Sequence, residues 1–138
     1  MTITVVSQQD GRYRQRVQLD GFDDLFVDAP RWVGGEESAP DPHDYFDLSL
    51  GACKAITAQM YARRKGWPLT GVTAVVERDE SKEREGLYRL SVTLRFEGID
   101  DPEQLARLAE LSDRCPIHRL MTDSTVEVTT WMDEANGI

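Results

Sequence analysis

The two cysteines are the residues of this chain best suited to do chemistry. Cys53 follows Gly51 and Ala52 inside a long apolar segment, and Cys115 begins the run Cys115-Pro116-Ile117-His118. Two thiols that meet in a folded protein can cycle between dithiol and disulfide, and a thiolate oxidised by peroxide passes through a sulfenic acid. The pair therefore indicates redox chemistry, with a thiol peroxidase as the leading candidate.

Cys53 needs a source of activation, because a cysteine on an apolar helix usually behaves as a small hydrophobe. Gly51 weakens a helix. A break there would place Cys53 in the first turn of a second segment, where free N–H groups and the helix dipole stabilise a thiolate. An unbroken helix would remove this activation.

Cys115 is predicted to be an N-cap, because proline suits the first position of a helix. Unpaired N–H groups facing its sulfur would lower its pKa from the free value of about 8.5. A core cysteine ahead of a turn is an equally supported interpretation. His118 is expected to be a polar partner on the same short helix.

Metal binding is the alternative use of these residues. His43, Cys53, Cys115 and His118 are the only histidines and cysteines of the chain. Only Cys115 and His118 form a close pair, whereas structural zinc sites usually show two. We expect no metal and no cofactor.

Charged residues could support the thiols. Asp44 suits the first turn of the predicted helix, and it could also orient a cation near the sulfur. Residues 12–19 alternate in the manner of a strand, with Arg12, Arg14 and Arg16 on one face. A guanidinium from this face would favour a thiolate and hold a peroxide oxygen. A solvated strand face is the simpler interpretation of these arginines.

Composition excludes several classes of protein. The 138 residues fit a single domain, 1–138. The net charge of −9 argues against nucleic acid and anionic membrane as partners. The start does not resemble a signal peptide, and no apolar run reaches the roughly 20 residues of a membrane span. We expect a cytoplasmic protein. Because the cytoplasm is reducing, a disulfide there would be transient.

The pattern of elements predicts an α+β fold. We expect an N-terminal antiparallel β-meander, a loop over 30–41, a long helix from the cap Asp41 to Lys65, a β-hairpin of strands 71–78 and 87–97, a helix from Asp101, a short helical turn from Cys115 and a C-terminal strand over 125–131. The long helix is apolar nearly all round, which predicts burial. Two such helices packed in a dimer would explain that burial.

Three motifs together resemble the OsmC/Ohr family, most closely its general OsmC-like branch: residues 42–53 (PHDYFDLSLGAC), 61–69 (YARRKGWPL) and 113–118 (DRCPIH). The resemblance runs in order over nearly the whole chain. It implies an intertwined homodimer, two sites at the subunit interface, and a thiol-dependent peroxidase acting mainly on organic hydroperoxides. By position it makes Cys53 the peroxidatic thiol and Cys115 the resolving thiol, and Asp44 stands where the family has an acidic residue. The catalytic arginine of the Ohr branch has no single counterpart here.

The implied reaction consumes a small organic hydroperoxide. An external dithiol reductant then returns the protein to its reduced form. An apolar pocket would favour alkyl over hydrogen peroxide, because burying each methylene contributes about 0.8 kcal/mol. Two other functions fit the same residues. One is a dimeric, non-catalytic binding protein for a hydrophobic ligand, and the other is a redox sensor that passes its disulfide to a partner.

Overall fold

A computed structural model describes residues 1–136 and confirms the α+β fold. Its strands are β1 (Ile3–Ser7), β2 (Gln15–Leu19), β3 (Phe22–Val27), β4 (Gly71–Asp79) and β5 (Arg89–Glu97), and its helices are α1 (Pro42–Lys65), α2 (Pro102–Ser112) and α3 (Pro116–Thr122). The chain forms two compact units, Met1–Ala52 with Thr73–Arg95, and Cys53–Val72 with the chain from Phe96 onward. The single domain over 1–138 stays a prediction.

The first unit contains the predicted meander. Strand β2 pairs antiparallel with β1 and β3, and Val17 lies opposite both Val5 and Leu25. Strand β2 begins at Gln15, so the predicted basic strand face is wrong for Arg12 and Arg14, which lie in the preceding loop. Their side chains bond instead to the 30–41 segment, Arg12 to Gly34 O at 3.1 Å and Arg14 to Ser38 O at 3.1 Å.

The 30–41 loop is more ordered than its composition suggests. It contains a short 3₁₀ turn, Arg31–Val33. The buried carboxylate of Asp28 accepts the backbone N–H groups of Ala29 at 2.7 Å and Ser38 at 3.0 Å, together with the Ser38 hydroxyl. The hydroxyl of Ser38 and then these N–H groups lower the pKa of Asp28. The carboxylate of Asp28 thus links the residue before the loop, Ala29, to Ser38 near the end of the loop.

Helix α1 begins and ends as predicted. The backbone N–H of Asp44 donates to Asp41 Oδ1 at 2.8 Å, and that of Asp41 donates to Asp44 Oδ2 at 2.9 Å, which is a reciprocal cap. Gly66, just beyond the helix, has φ +69°, a left-handed conformation that glycine adopts without strain.

The predicted break at Gly51 is wrong, because α1 continues through it as one helix of 24 residues. Gly51 serves packing instead: a Cβ there would lie 2.7 Å from Val76 Cγ2 of β4. Cys53 therefore lies in mid-helix, where the backbone N–H groups are already bonded, and it receives no activation from a helix start.

Burial of α1 follows a single stripe and does not extend all round. The buried positions recur every three or four residues: Asp47, Leu50, Gly51, Lys54, Thr57, Ala58 and Ala62. Large apolar side chains on other faces stay about half exposed, among them Ile56 at 55% and Met60 at 48%. The prediction of full burial is wrong for one isolated chain, since an α-helix at the surface of a small unit can bury only one face.

The second unit has its own core. Ala58, Ala62, Ile99 and Leu108 are buried together, with Trp67 and other partly buried apolar side chains packed around them. In β5, whose residues Arg89–Arg95 belong to the first unit, the apolar residues alternate with exposed polar ones, as predicted for a half-buried strand. Helix α2 is capped by Asp101, whose carboxylate accepts the N–H of Glu103 at 2.9 Å.

The predicted C-terminal strand is wrong. Residues 125–131 form no strand, and among the described residues no strand follows β5. The side chains of Val126, Val128 and Trp131 are 64 to 82% exposed. The segment has the composition of a strand, but no strand edge within the described residues pairs with its backbone, and a strand needs such a partner. None of the helices within residues 1–136 has the length and hydrophobicity needed to cross a membrane.

Candidate active site

The second unit brings the two cysteines together. Both are free thiols; Cys53 is half-buried in mid-α1, and Cys115 is completely buried. The two thiols are close enough that Cys53 acts on the pKa of Cys115. Dithiol–disulfide chemistry requires that two such sulfurs can meet, and the proximity of this pair is compatible with it.

Cys115 is the N-cap of α3, as predicted. Its Sγ accepts the backbone N–H of His118 at 3.3 Å, and Pro116 takes the first helical position. The expected net lowering of its pKa is nevertheless wrong. Burial raises the pKa of the Cys115 thiol, and this effect outweighs the opposing N–H of His118.

A buried lysine lies beside the pair. The ammonium of Lys54 donates to Asp113 Oδ1 and to His118 Nδ1, both at 2.9 Å, and to Ser112 O at 3.4 Å. Its charge acts on the Cys115 thiol and lowers the pKa, against the effect of burial. His118 is thus close to both Cys115 and Lys54, in agreement with its expected polar role.

Asp44 belongs to a charged network in the first unit. Arg78 of β4 bonds to Asp44 and, through Nε, to Asp47 Oδ2 at 2.5 Å. Tyr88, which directly precedes β5, donates its hydroxyl to Asp47 Oδ1 at 2.7 Å. Burial, and then the Asp47 carboxylate, raise the pKa of Tyr88, so this hydroxyl remains a donor. The cation that Asp44 orients is therefore Arg78 and not one of the N-terminal arginines.

The network borders a groove of about 490 Å³. Asp44, Asp47 and Arg78 supply its polar lining, and the apolar lining consists of Pro40, Leu48, Gly51, Ala52, Ala74 and Val76. A groove that combines apolar surface with a few convergent polar groups is typical of a small-molecule site.

Sequence reasoning missed Lys54, Arg78 and Asp113. A signal existed for Lys54, because a lysine inside an otherwise apolar helical segment must either reach solvent or find partners. The signal for Arg78 was weaker. It is a long charged side chain near the end of a half-buried strand, where such a side chain can cover apolar surface.

No metal is assigned to this chain. Within residues 1–136 the ligand atoms of His43, Glu80 and Glu83 lie within 4.8 Å of one another. Both glutamates are exposed, and His43 is already paired with Glu83 through Nε2 and Oε1 at 2.5 Å. Surface carboxylates cluster in this way without a cation.

Asp44 should make stability depend on acid. The N–H of Asp41 and then the Arg78 guanidinium lower the pKa of Asp44 from 3.8. Because the folded-state pKa lies below the unfolded one, this contribution is present above about pH 4 and is lost as pH falls through the folded value. In urea unfolding followed by tryptophan fluorescence, Asp44→Asn should lose less stability than wild type between pH 5 and pH 3, two values spanning about one unit either side of the free carboxyl pKa. Equal losses in the two proteins would contradict the assignment.

Comparison with known proteins identifies the family. The OsmC-like protein model matches residues 35–130, and the chain therefore belongs to the OsmC-like family. This family includes organic hydroperoxide resistance proteins. Comparison with curated proteins finds no match.

Solved structures share the fold at low identity. An osmotic stress induced and detoxification response protein from Psychrobacter arcticus is 22% identical, with TM-score 0.73 and 89% of each chain covered. An organic hydroperoxide resistance protein OsmC from Legionella pneumophila is 21% identical, with TM-score 0.66 and coverage of 89% of this chain and 90% of that one. The organic hydroperoxide resistance protein OhrB of Bacillus subtilis is 18% identical, with TM-score 0.60 and coverage of 89% and 92%. These likenesses concern the fold.

Proposed function

We propose that the protein is a thiol-dependent peroxidase that reduces organic hydroperoxides through a Cys53–Cys115 dithiol–disulfide cycle. The observation that supports this most directly is the proximity of two free thiols in an OsmC-like chain, one half-buried and one completely buried. The names of the Legionella and Bacillus relatives agree with this class of substrate.

The accessible thiol is the one that reacts with peroxide. The Cys53 thiolate attacks a peroxide oxygen, the O–O bond breaks, and the alkoxide takes a proton and leaves as an alcohol. Cys53 is thereby oxidised to a sulfenic acid. Cys115, completely buried against Cys53, serves as the resolving thiol.

The cycle closes in two further steps. The Cys115 thiolate attacks the sulfur of the sulfenic acid, the S–O bond breaks, and hydroxide takes a proton to become water. An external dithiol then reduces the Cys53–Cys115 disulfide by exchange and is itself oxidised to a disulfide.

Thiol titration tests this function. One equivalent of cumene hydroperoxide should remove both thiols of each chain and yield one equivalent of alcohol. The matched alcohol, which lacks the O–O bond, should leave both thiols free. A protein that binds the hydroperoxide and keeps both thiols would be a binding module, and the peroxidase proposal would fail.

We further propose that the protein is a homodimer. Ile56 and Met60 on α1 and Val128 and Trp131 near the C-terminus are large apolar side chains that are about half or more exposed in one chain. Exposed apolar surface of this kind marks interaction sites. A second copy would also offer a strand edge to residues 125–131.

Ile56→Asp should therefore shift the protein from dimer to monomer, because a charge buried in an apolar interface is strongly unfavourable. Light scattering during size exclusion measures the change. Ala109→Asp introduces the same charged side chain at an exposed position of α2. It is the matched control and should leave the dimer intact. A wild-type monomer, or an Ile56→Asp variant that still dimerises, would contradict the proposal.

A further inference from the structure

Lys54 is a buried cation that follows the half-buried thiol directly in sequence. Its side chain is only 5% exposed. Lysine is rarely buried unless paired, because removing an ammonium from water is costly. Each of the three donors of this ammonium has an acceptor, namely Ser112 O, Asp113 Oδ1 and His118 Nδ1.

All three acceptors come from the segment that carries Cys115. Ser112 and Asp113 precede the cysteine, and His118 follows it and donates its backbone N–H to the cysteine sulfur. Because an ammonium can only donate, Nδ1 of His118 is the acceptor in its bond with Lys54. The lysine therefore holds the segment on both sides of the resolving thiol.

The groups that act on the Cys115 thiol oppose one another. Cys53 and Lys54 face its thiol from α1, and the backbone N–H of His118 faces it from α3. Burial raises the pKa of the Cys115 thiol, and the lysine charge lowers it. Asp113, whose side chain is 70% exposed, acts indirectly by neutralising part of the lysine charge.

We propose that Lys54 is a positioning residue of the dithiol site, whose buried ammonium fixes the 112–118 segment and stabilises the thiolate form of Cys115. The use of this thiolate in turnover rests on the proposed peroxidase function, but its stabilisation does not.

The thiolate of Cys115 is needed twice in the cycle. It attacks the sulfenic sulfur of Cys53, with release of hydroxide that becomes water. During reduction the external thiolate reaches the half-buried Cys53 sulfur, the S–S bond breaks, and the electron pair leaves on the completely buried Cys115. A leaving thiol of lower pKa leaves faster, so the same cation assists both steps.

Opposite effects of two substitutions separate this role from a purely structural one. In a Cys53→Ser background, Cys115 is the only thiol. Lys54→Met should raise the pKa of Cys115 by about one to three units, the usual effect of removing a nearby opposite charge. Asp113→Asn should lower it, because more of the lysine charge then acts on the sulfur. Mere loosening of the site would move both variants the same way.

The measurement is ultraviolet absorbance of the thiolate as a function of pH on the full chain, with folding checked by circular dichroism. Lys65→Met, at an exposed position of the same helix, is the control and should leave the titration unchanged. An unchanged Cys115 titration in folded Lys54→Met, or a titration in Asp113→Asn that is unchanged or raised, would overturn the proposal. If Lys54→Met does not fold, Asp113→Asn decides alone.

Kinetics with both cysteines present separates the two proposals. Lys54→Met should still consume one equivalent of cumene hydroperoxide, but its recycling by dithiol should be several-fold slower than that of wild type. A chain that shows both pKa shifts and no reaction with hydroperoxide would support the role of Lys54 at Cys115 and overturn the peroxidase function.

Discussion

Cys53→Ser is expected to abolish consumption of cumene hydroperoxide in the presence of excess dithiol. A serine hydroxyl stays protonated near neutral pH and cannot replace a thiolate as the nucleophile. The serine is nearly the same size as the cysteine and the position is only half-buried, so the fold should be retained. Loss of activity with an unchanged circular dichroism spectrum would locate the reaction at this sulfur.

Cys115→Ser is the informative contrast. The variant should reduce about one equivalent of hydroperoxide and then stop, leaving a sulfenic acid on Cys53 that a dimedone-type reagent traps. Continued turnover at the wild-type rate would show that Cys115 is not the resolving thiol. Full activity in Cys53→Ser would end the enzymatic proposal altogether.

Arg78→Met is expected to cause the largest loss of stability. The substitution leaves Asp47, whose side chain is 9% exposed, as a buried carboxylate without its cation. Removing one partner of a buried ion pair costs about 3 to 5 kcal/mol. Since the Arg78 side chain is itself 25% exposed and Tyr88 still donates to Asp47, we expect a value near the lower limit, about 3 kcal/mol of unfolding free energy in urea.

The neighbouring strand supplies a matched control. Arg89 of β5 approaches Asp79 at 3.9 Å with a side chain that is 60% exposed. Arg89→Met should change stability by less than about 1 kcal/mol, as is usual for surface ion pairs. Combining Arg78→Met with Asp47→Leu should recover much of the loss, because the buried carboxylate is then absent and the other partner of Arg78, Asp44, is 45% exposed. Equal effects of the two arginine substitutions would contradict the assigned role of Arg78.

The predictions from sequence succeeded where a local signal fixes the structure. The caps at Asp41 and Cys115 each depend on residues within three positions, and both were predicted. Gly51 misled the prediction because its low helix propensity was visible, whereas its close approach to Val76 was not. Propensity is a weak prior that packing overrides.

Long-range pairing accounts for most of what was missed. Lys54 and Asp113 are 59 residues apart, and Asp44 and Arg78 are 34 apart, so nothing local links either pair. The strand prediction for residues 125–131 was wrong for a related reason. A β-rich composition shows that a segment can form a strand, but it does not show that a second strand is available to pair with it. The two cysteines were predicted as site residues because a thiol is reactive by its residue type, whatever its contacts.

Disulfide mapping tests the central claim most directly. The reduced protein is treated with one equivalent of cumene hydroperoxide, alkylated and digested without reductant, and its peptides are identified by mass spectrometry. The account predicts a Cys53–Cys115 disulfide within one chain and a loss of both free thiols. Two cysteines recovered as alkylated thiols, or a Cys53 oxidised while Cys115 stays free, would contradict it.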